Sequence, residues 1–172
     1  MDIKSKIRVI EDFPKVGISF KDISTLIRDP EGLRDMVDHL AKACEKYEFD
    51  YVAGVEARGF IVGTPLAYKM GKGFIAIRKP GKLPGKVIKE SYDLEYGSNS
   101  IEMDEDALNP GDKVLILDDL LATGGTLEAS IKLVEKAGAE VVAVGALIEL
   151  TGLNARDLLK DYEVFSLIKY EF

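Results

Sequence analysis

Asp118 and Asp119 follow the apolar run Val114-Leu115-Ile116-Leu117, and Ala122-Thr123-Gly124-Gly125-Thr126 comes three residues later. Each part suits a different half of a phosphorylated sugar. Adjacent carboxylates accept hydrogen bonds from hydroxyl groups and repel phosphate. A glycine pair entering a helix does the reverse, because glycine lets backbone approach a ligand closely and the first amides of a helix lack intrahelical acceptors. The implied ligand turns hydroxyls toward Asp118 and Asp119 and lays a phosphate over residues 122 to 126. The stretch has neither the spaced glycines of the dinucleotide fingerprint nor the Gly-Lys-Ser/Thr of the triphosphate loop.

A second acid and cation stand together in Glu56-Ala57-Arg58-Gly59-Phe60, directly after the apolar residues 51 to 55. Such a position opens onto the crevice that ligands use in open α/β sheets. It reads either as a salt-bridged turn or as a pyrophosphate site built from Arg58 and free turn amides. Residues 78 to 89 hold five cations, Arg78, Lys79, Lys82, Lys86 and Lys89, around Pro80-Gly81 and Pro84-Gly85. They form either a solvated loop or a lid whose cations meet developing negative charge. Phe20 reads as core or as a platform for a flat heterocycle. His39, the single histidine, lies off its helix's apolar face and has no second histidine to share a metal with, so it is set aside.

These groups need a scaffold to bring them together. The run at 114 to 117 reads as a strand buried on both faces, which implies a parallel sheet, with the two carboxylates closing it. Residues 50 to 55, 74 to 77, 140 to 150 and 164 to 168 supply further strands. Leu33, Met36, Val37, Leu40, Ala41, Cys44 and Tyr47 recur at steps of three and four, a helix over 30 to 47 with one buried face. A second helix runs to about Met70, kinked or restarted at Thr64-Pro65. Leu127, Ile131, Val134 and Ala137 mark a third, closed by Gly138, and a short one spans 154 to 159. Ile3, Ile7 and Ile10 predict a short amphipathic helix over 1 to 13, and residues 98 to 103 a hairpin return. The fold class is α/β, a mainly parallel central sheet flanked by helices, and 172 residues suit a single domain.

Composition narrows the classes of partner. A net charge of −7 argues against nucleic acid. No apolar run approaches the length of a membrane span, and residues 1 to 13 do not read as a signal peptide. Cys44 is the one cysteine, at a buried helical position, so no internal disulfide forms and a reducing cytoplasm is expected.

With Gly17 to Ser24, Glu56 to Phe60, Arg78 to Gly85, Ser91-Tyr92-Asp93-Leu94-Glu95-Tyr96-Gly97 and Asp118 to Thr126 in this order, the chain resembles the adenine phosphoribosyltransferases of the type I phosphoribosyltransferase family. The resemblance runs from about residue 7 to the C-terminus. It implies the type I fold with a small N-terminal hood, residues 1 to 27, and a mobile catalytic loop, residues 78 to 97. It implies transfer of 5-phosphoribosyl from 5-phosphoribosyl-1-pyrophosphate (PRPP) to N9 of adenine, giving AMP and pyrophosphate, in a cytoplasmic homodimer. By motif, Ala122, Thr123, Gly124, Gly125 and Thr126 would bind the 5-phosphate and Asp118 and Asp119 the ribose. Glu56, Ala57, Arg58, Gly59 and Lys79 would bind pyrophosphate. Ser19, Phe20 and Arg58 would bind adenine, and Glu95 with Arg58 would be catalytic, Glu95 as general acid or base and Glu90 as its competitor. Mg²⁺ would arrive with PRPP, near Asp118, with no direct protein ligand required.

Two alternatives belong beside this. Enzymes acting on hypoxanthine, guanine or xanthine typically carry a lysine on the strand after the phosphate loop, where this chain has Glu149. A PRPP-sensing regulator without catalysis would need a nucleic-acid surface, and residues 78 to 89 are the one basic cluster. An RNA-binding attenuator of the same fold is excluded less firmly, since its surface need not be a separate domain.

Overall fold

In the computed structural model, which describes residues 2–94 and 97–171, a 3-10 turn at Ile3–Lys6 leads to β1 (Arg8–Glu11), which pairs antiparallel with β2 (Ser19–Asp22). This corrects the helix expected over residues 1 to 13. Ile3 and Ile7 are buried as their spacing suggested. The β-branched series Ile7, Val9, Ile10 nonetheless favours extended backbone, and β2 offers it a ladder partner.

The short helix α1 (Ser24–Ile27) precedes α2 (Pro30–Cys44). The Asp29 carboxylate accepts a hydrogen bond from the Glu31 amide and Pro30 takes the first helical position, two start signals in succession. Gly32, Met36, Leu40 and Cys44 form the buried line. Leu33 was expected among them and is exposed. Its angle falls within that line, but it stands in the first turn of the helix, where it borders an open groove with Ile61 and Tyr68 instead of covered core.

β3 (Tyr51–Val55), α3 (Arg58–Met70) and β4 (Gly73–Ile77) make a parallel crossover unit. α3 runs through Pro65 as one helix, so the restart, one of the two outcomes expected at Thr64-Pro65, does not occur. The carbonyl that residue 65 would have bonded belongs to Ile61, on the exposed side, where water can replace the lost bond. β5 (Val87–Leu94) and β6 (Gly97–Asp104) pair antiparallel from Val87↔Asp104 to Leu94↔Gly97. The basic excursion is therefore irregular only over 78 to 86; the rest of the expected loop, as far as it is described, is strand.

β7 (Lys113–Leu121), α4 (Gly125–Lys136), β8 (Glu140–Leu150), α5 (Ala155–Leu158) and β9 (Val164–Tyr170) complete the chain. The central sheet has the order β4-β3-β7-β8-β9 with every pairing parallel, and helices cover both faces, as expected. Alternation along β7 feeds two cores. Val114 and Ile116 pack with Leu127, Ile131 and Val134 of α4. Leu115 and Leu117 pack with Met36 and Leu40 of α2 and Val62 and Leu66 of α3.

β7 does not stop at the carboxylates, as expected, but runs on to Leu121. Its pairing with β3 ends at Gly54↔Leu117, while β8 continues opposite Asp118, Leu120 and Leu121. Asp118 and Asp119 thus keep a strand on one side and lose it on the other.

Near the end of β8 the buried Glu149 carboxylate accepts hydrogen bonds from Arg156 Nε and Nη2, both at 3.0 Å, and from Ser166 Oγ at 2.6 Å. The Arg156 bonds hold this carboxyl below its usual range, so its contribution to stability is present at neutral pH and lost as pH falls through the lowered pKa. Arg156→Ala leaves a buried charge without its cation and should cost about 2–3 kcal/mol in urea unfolding at neutral pH. The gap from the unsubstituted protein should narrow in acid, as the orphaned Glu149 takes up a proton.

Candidate active site

Where β3 and β7 lie side by side, their chains leave in opposite directions, β3 through α3 to β4 and β7 through α4 to β8. Ligands of open parallel sheets bind at such a divergence. A cavity of about 530 Å³ opens there, lined by Glu56, Ala57, Arg58, Lys79, Asp118, Asp119 and residues 122 to 127. One place thus gathers the residues expected at the phosphate, ribose and pyrophosphate positions. Gly59 is the exception, lying behind the wall, where a Cβ would stand 3.0 Å from Asp118 Oδ1.

Two helices start at this cavity, α3 at Arg58 and α4 at Gly125, and neither has a side-chain cap, in contrast to α2. Their first amides are left for an anionic ligand. Gly124, just before α4, adopts φ +93, a conformation that glycine takes without steric cost. The Glu56–Ala57 peptide preceding α3 is cis.

Arg58 ties the parts together. Its Nε lies 2.8 Å from Asp119 Oδ2, and its guanidinium carbon lies 5.4 Å from the centre of the Phe20 ring. Phe20 is half-buried and meets Phe13 edge-on at 5.2 Å. Ser19 and Phe20 do not line the cavity itself; Phe20 reaches it through Arg58. The Ser19 hydroxyl donates to Glu11 at 3.0 Å and accepts from Lys21 Nζ at 2.7 Å.

The carboxylates differ in their surroundings. Asp118 Oδ1 accepts from the Asp119 amide at 2.8 Å. Burial, and next the charge of Asp119, push the Asp118 carboxyl well above the usual carboxylate range. Glu56, expected on pyrophosphate, has its carboxylate taken up by the Lys79 amide at 2.6 Å and Arg78 Nε at 3.2 Å. Against burial that would raise it, these bonds hold the Glu56 carboxyl below its usual range.

Glu95 lies outside the described residues. Its competitor Glu90 pairs with Lys136 Nζ at 2.8 Å and does not line the cavity. Tyr92, Asn99 and Ser100 of the β5–β6 ribbon do line it, and the sequence did not single them out. Tyr92 and Asn99 face each other in the ladder, a pairing visible only once the register is known. Cys44 is buried, which pushes its thiol up to about 12. His39 is exposed, with Nδ1 2.6 Å from the Asp35 carbonyl. Among the described residues no group of three or more His, Cys, Asp or Glu could hold a metal, and no helix is long and apolar enough to cross a membrane.

The family profile described as phosphoribosyl transferase domain matches residues 24–172. An adenine phosphoribosyltransferase from Clostridium perfringens is 60% identical over 171 residues, 99% of either chain. The crystal structure of adenine phosphoribosyltransferase from Thermoanaerobacter pseudethanolicus superimposes with a TM-score of 0.96 at 50% identity, covering 98% of each chain. That of Saccharomyces cerevisiae, complexed with an imino-altritol bisphosphate and adenine, gives 0.90 at 37% identity over 96% of each.

The environment of Asp118 sets a measurable stability cost. A carboxyl whose pKa is raised by folding destabilises the native state as pH climbs from its unfolded pKa toward its folded one. Asp118→Asn, which keeps the acceptor for the Asp119 amide, should therefore melt higher than the unsubstituted protein at neutral pH. The difference should shrink through about pH 4 and vanish by about pH 3, where the unfolded carboxyl is also protonated.

Proposed function

The chain belongs to the adenine phosphoribosyltransferases of the phosphoribosyltransferase family, and on that premise we propose that it transfers 5-phosphoribosyl from PRPP to N9 of adenine, releasing pyrophosphate and AMP. The observation that carries this reading is the single cavity in which two carboxylates stand between two uncapped helix starts. In the reaction the bond from the anomeric carbon to pyrophosphate oxygen breaks, a bond from that carbon to N9 forms, and N9 gives up its proton.

In this reading the amides of residues 122 to 126 receive the 5-phosphate. Asp118 and Asp119 accept the ribose hydroxyls and favour positive charge developing on the sugar. The amides of Ala57 and Arg58 and the ammonium of Lys79 meet the pyrophosphate, with Glu56 fixing the Lys79 backbone and Gly59 packing behind them against Asp118. Arg58 plays two parts. Turning from Asp119 toward the pyrophosphate, it frees the ribose acceptor and uncovers the Phe20 ring, on which adenine stacks beside Ser19. Glu95 exchanges the purine proton, a role supported by the engagement of Glu90 with Lys136.

Two adjacent carboxylates, among the described residues the sole acids on the cavity besides the engaged Glu56, fit Mg²⁺ that arrives on PRPP and keeps substrate and water oxygens as its main ligands. When bound, the ion neutralises pyrophosphate charge. Choice of the 6-amino base is supported at Glu149, whose carboxylate is bonded to Arg156 and Ser166, so no lysine stands there to donate to a 6-oxo group. The buried reduced cysteine suits a cytoplasmic setting. A homodimer is supported by an apolar groove of about 870 Å³ between α1, α2 and α3, where Leu33, Ile61 and the 89% exposed Tyr68 face outward.

Incubating the enzyme with PRPP, Mg²⁺ and each of adenine, hypoxanthine, guanine and xanthine should yield nucleotide from adenine alone. Glu95→Gln should lower kcat by about a hundred-fold or more. Nucleotide from a 6-oxopurine would overturn the base assignment, and PRPP binding without turnover on any base would overturn the enzyme reading. In sedimentation, the unsubstituted chain should run as a dimer and Ile61→Asp as a folded monomer; dimeric Ile61→Asp would move the interface elsewhere.

A further inference from the structure

The buried Glu102 of β6 has no part in the mechanism above, and it sits at the root of the basic segment. Its backbone forms a two-bond antiparallel bridge with Arg78, the Arg78 amide donating at 2.9 Å and the Glu102 amide at 2.7 Å. Its side chain reaches further along the same segment, Oε1 accepting from the Gly81 amide at 3.0 Å. Gly81 follows Pro80 with φ +81, the arrangement of a turn that needs glycine at its third position. Such a turn points the Gly81 amide away from the strand and into the reach of Glu102.

Lys79 lies between these fixings, and its amide is held by Glu56 at 2.6 Å. Two carboxylates from separate elements, one on the turn that starts α3 and one on the ribbon, thus grip the backbone on either side of Pro80. Neither needs to touch substrate for its effect to reach the cavity. We infer that Glu102 is a positioning residue that fixes where Lys79 meets the pyrophosphate leaving group, and so sets pyrophosphate affinity without acting on the nucleotide. This rests on the reading of Lys79 as a pyrophosphate ligand.

Removing an acceptor from the Gly81 amide frees the turn, and Lys79 then has to be ordered at the moment of binding, which costs affinity for the group it binds. A purely structural role would instead lower stability and affect both substrates of the reverse reaction alike.

The experiment runs the reaction backward, AMP with pyrophosphate, and separates the two KM values. Glu102→Ala should raise KM for pyrophosphate by about ten-fold and leave KM for AMP within about two-fold. Glu102→Gln keeps the acceptor and should restore a near-normal value. Lys79→Met should raise the same KM, and Glu102→Ala should add little to it, since one residue acts through the other. If Glu102→Ala does not fold, Glu102→Asp, which withdraws the acceptor by one methylene, takes its place with the same expectation. Lys79→Met without effect on pyrophosphate would sink the reading of Lys79 itself. An effect of Lys79→Met alone, equal shifts in both KM values, or full additivity would leave that reading standing and overturn the role of Glu102.

Discussion

Two carboxylates side by side on a strand covered on both faces repel each other and lose water, so they persist only where the surrounding protein answers their charge. Here the answer comes from Arg58, on Asp119, and from the Asp119 amide, on Asp118. Much of the molecule is arranged around that requirement. β3 stops pairing just before Asp118, which opens a crevice beside the acids and delivers the turn carrying Arg58 into it. The absence of a side chain at Gly59 lets the start of α3 come against Asp118, so the helix and the carboxylate are placed by one contact. A cavity that must hold hydroxyls and phosphates in one molecule needs acceptors and donors within a few ångströms, and the end of β7 with the starts of α3 and α4 supplies both.

The same economy of elements extends to the base side. Phe20 belongs to a small two-stranded unit outside the central sheet, and it meets the site through the Arg58 guanidinium. One planar cation touching a carboxylate and an aromatic ring links the sugar end to the base end. Arginine serves here better than lysine would, because its planar group can pair with an acid while lying across a ring.

The parts of the fold that follow from side-chain periodicity were legible in the sequence. Val114 to Leu117 is apolar on every position because both faces of β7 are covered, and that requirement alone implies a parallel sheet. The phosphate and pyrophosphate segments were legible because glycine, acid and arginine have few reasons to cluster at strand ends. Lengths were not legible. β7 runs past its carboxylates because β8 keeps pairing with it, a fact of the neighbour and not of the strand. Isoleucines at 3, 7 and 10 satisfy helical spacing, yet pairing of β1 with β2 decides the conformation there, and pairing partners are invisible in a local pattern. Leu33 fits the α2 stripe and faces outward, because spacing gives a residue's angle on the helix and not whether a neighbouring element covers that turn. Glu149 and Arg156 lie on different elements, and Glu102 meets Gly81 across 21 residues; contacts of this kind have no period to read.

The β5–β6 ribbon carries Tyr92 and Asn99 to the cavity, but neither of its strands joins the central sheet. Eight residues of ladder on each strand therefore present outer edges whose amides and carbonyls could recruit strands from other molecules, the geometry from which aggregates grow. The ribbon answers with charge. Lys89, Glu90 and Asp93 punctuate one strand and Glu102 and Asp104 the other, while Lys136 places its ammonium on the Lys89 carbonyl at 2.9 Å. The Arg78 bridge covers part of the second edge at Glu102. A strand pair that lays Ile101 and Met103 on the core and reaches the ligand with its other end is in this way kept from becoming a template for its own copies.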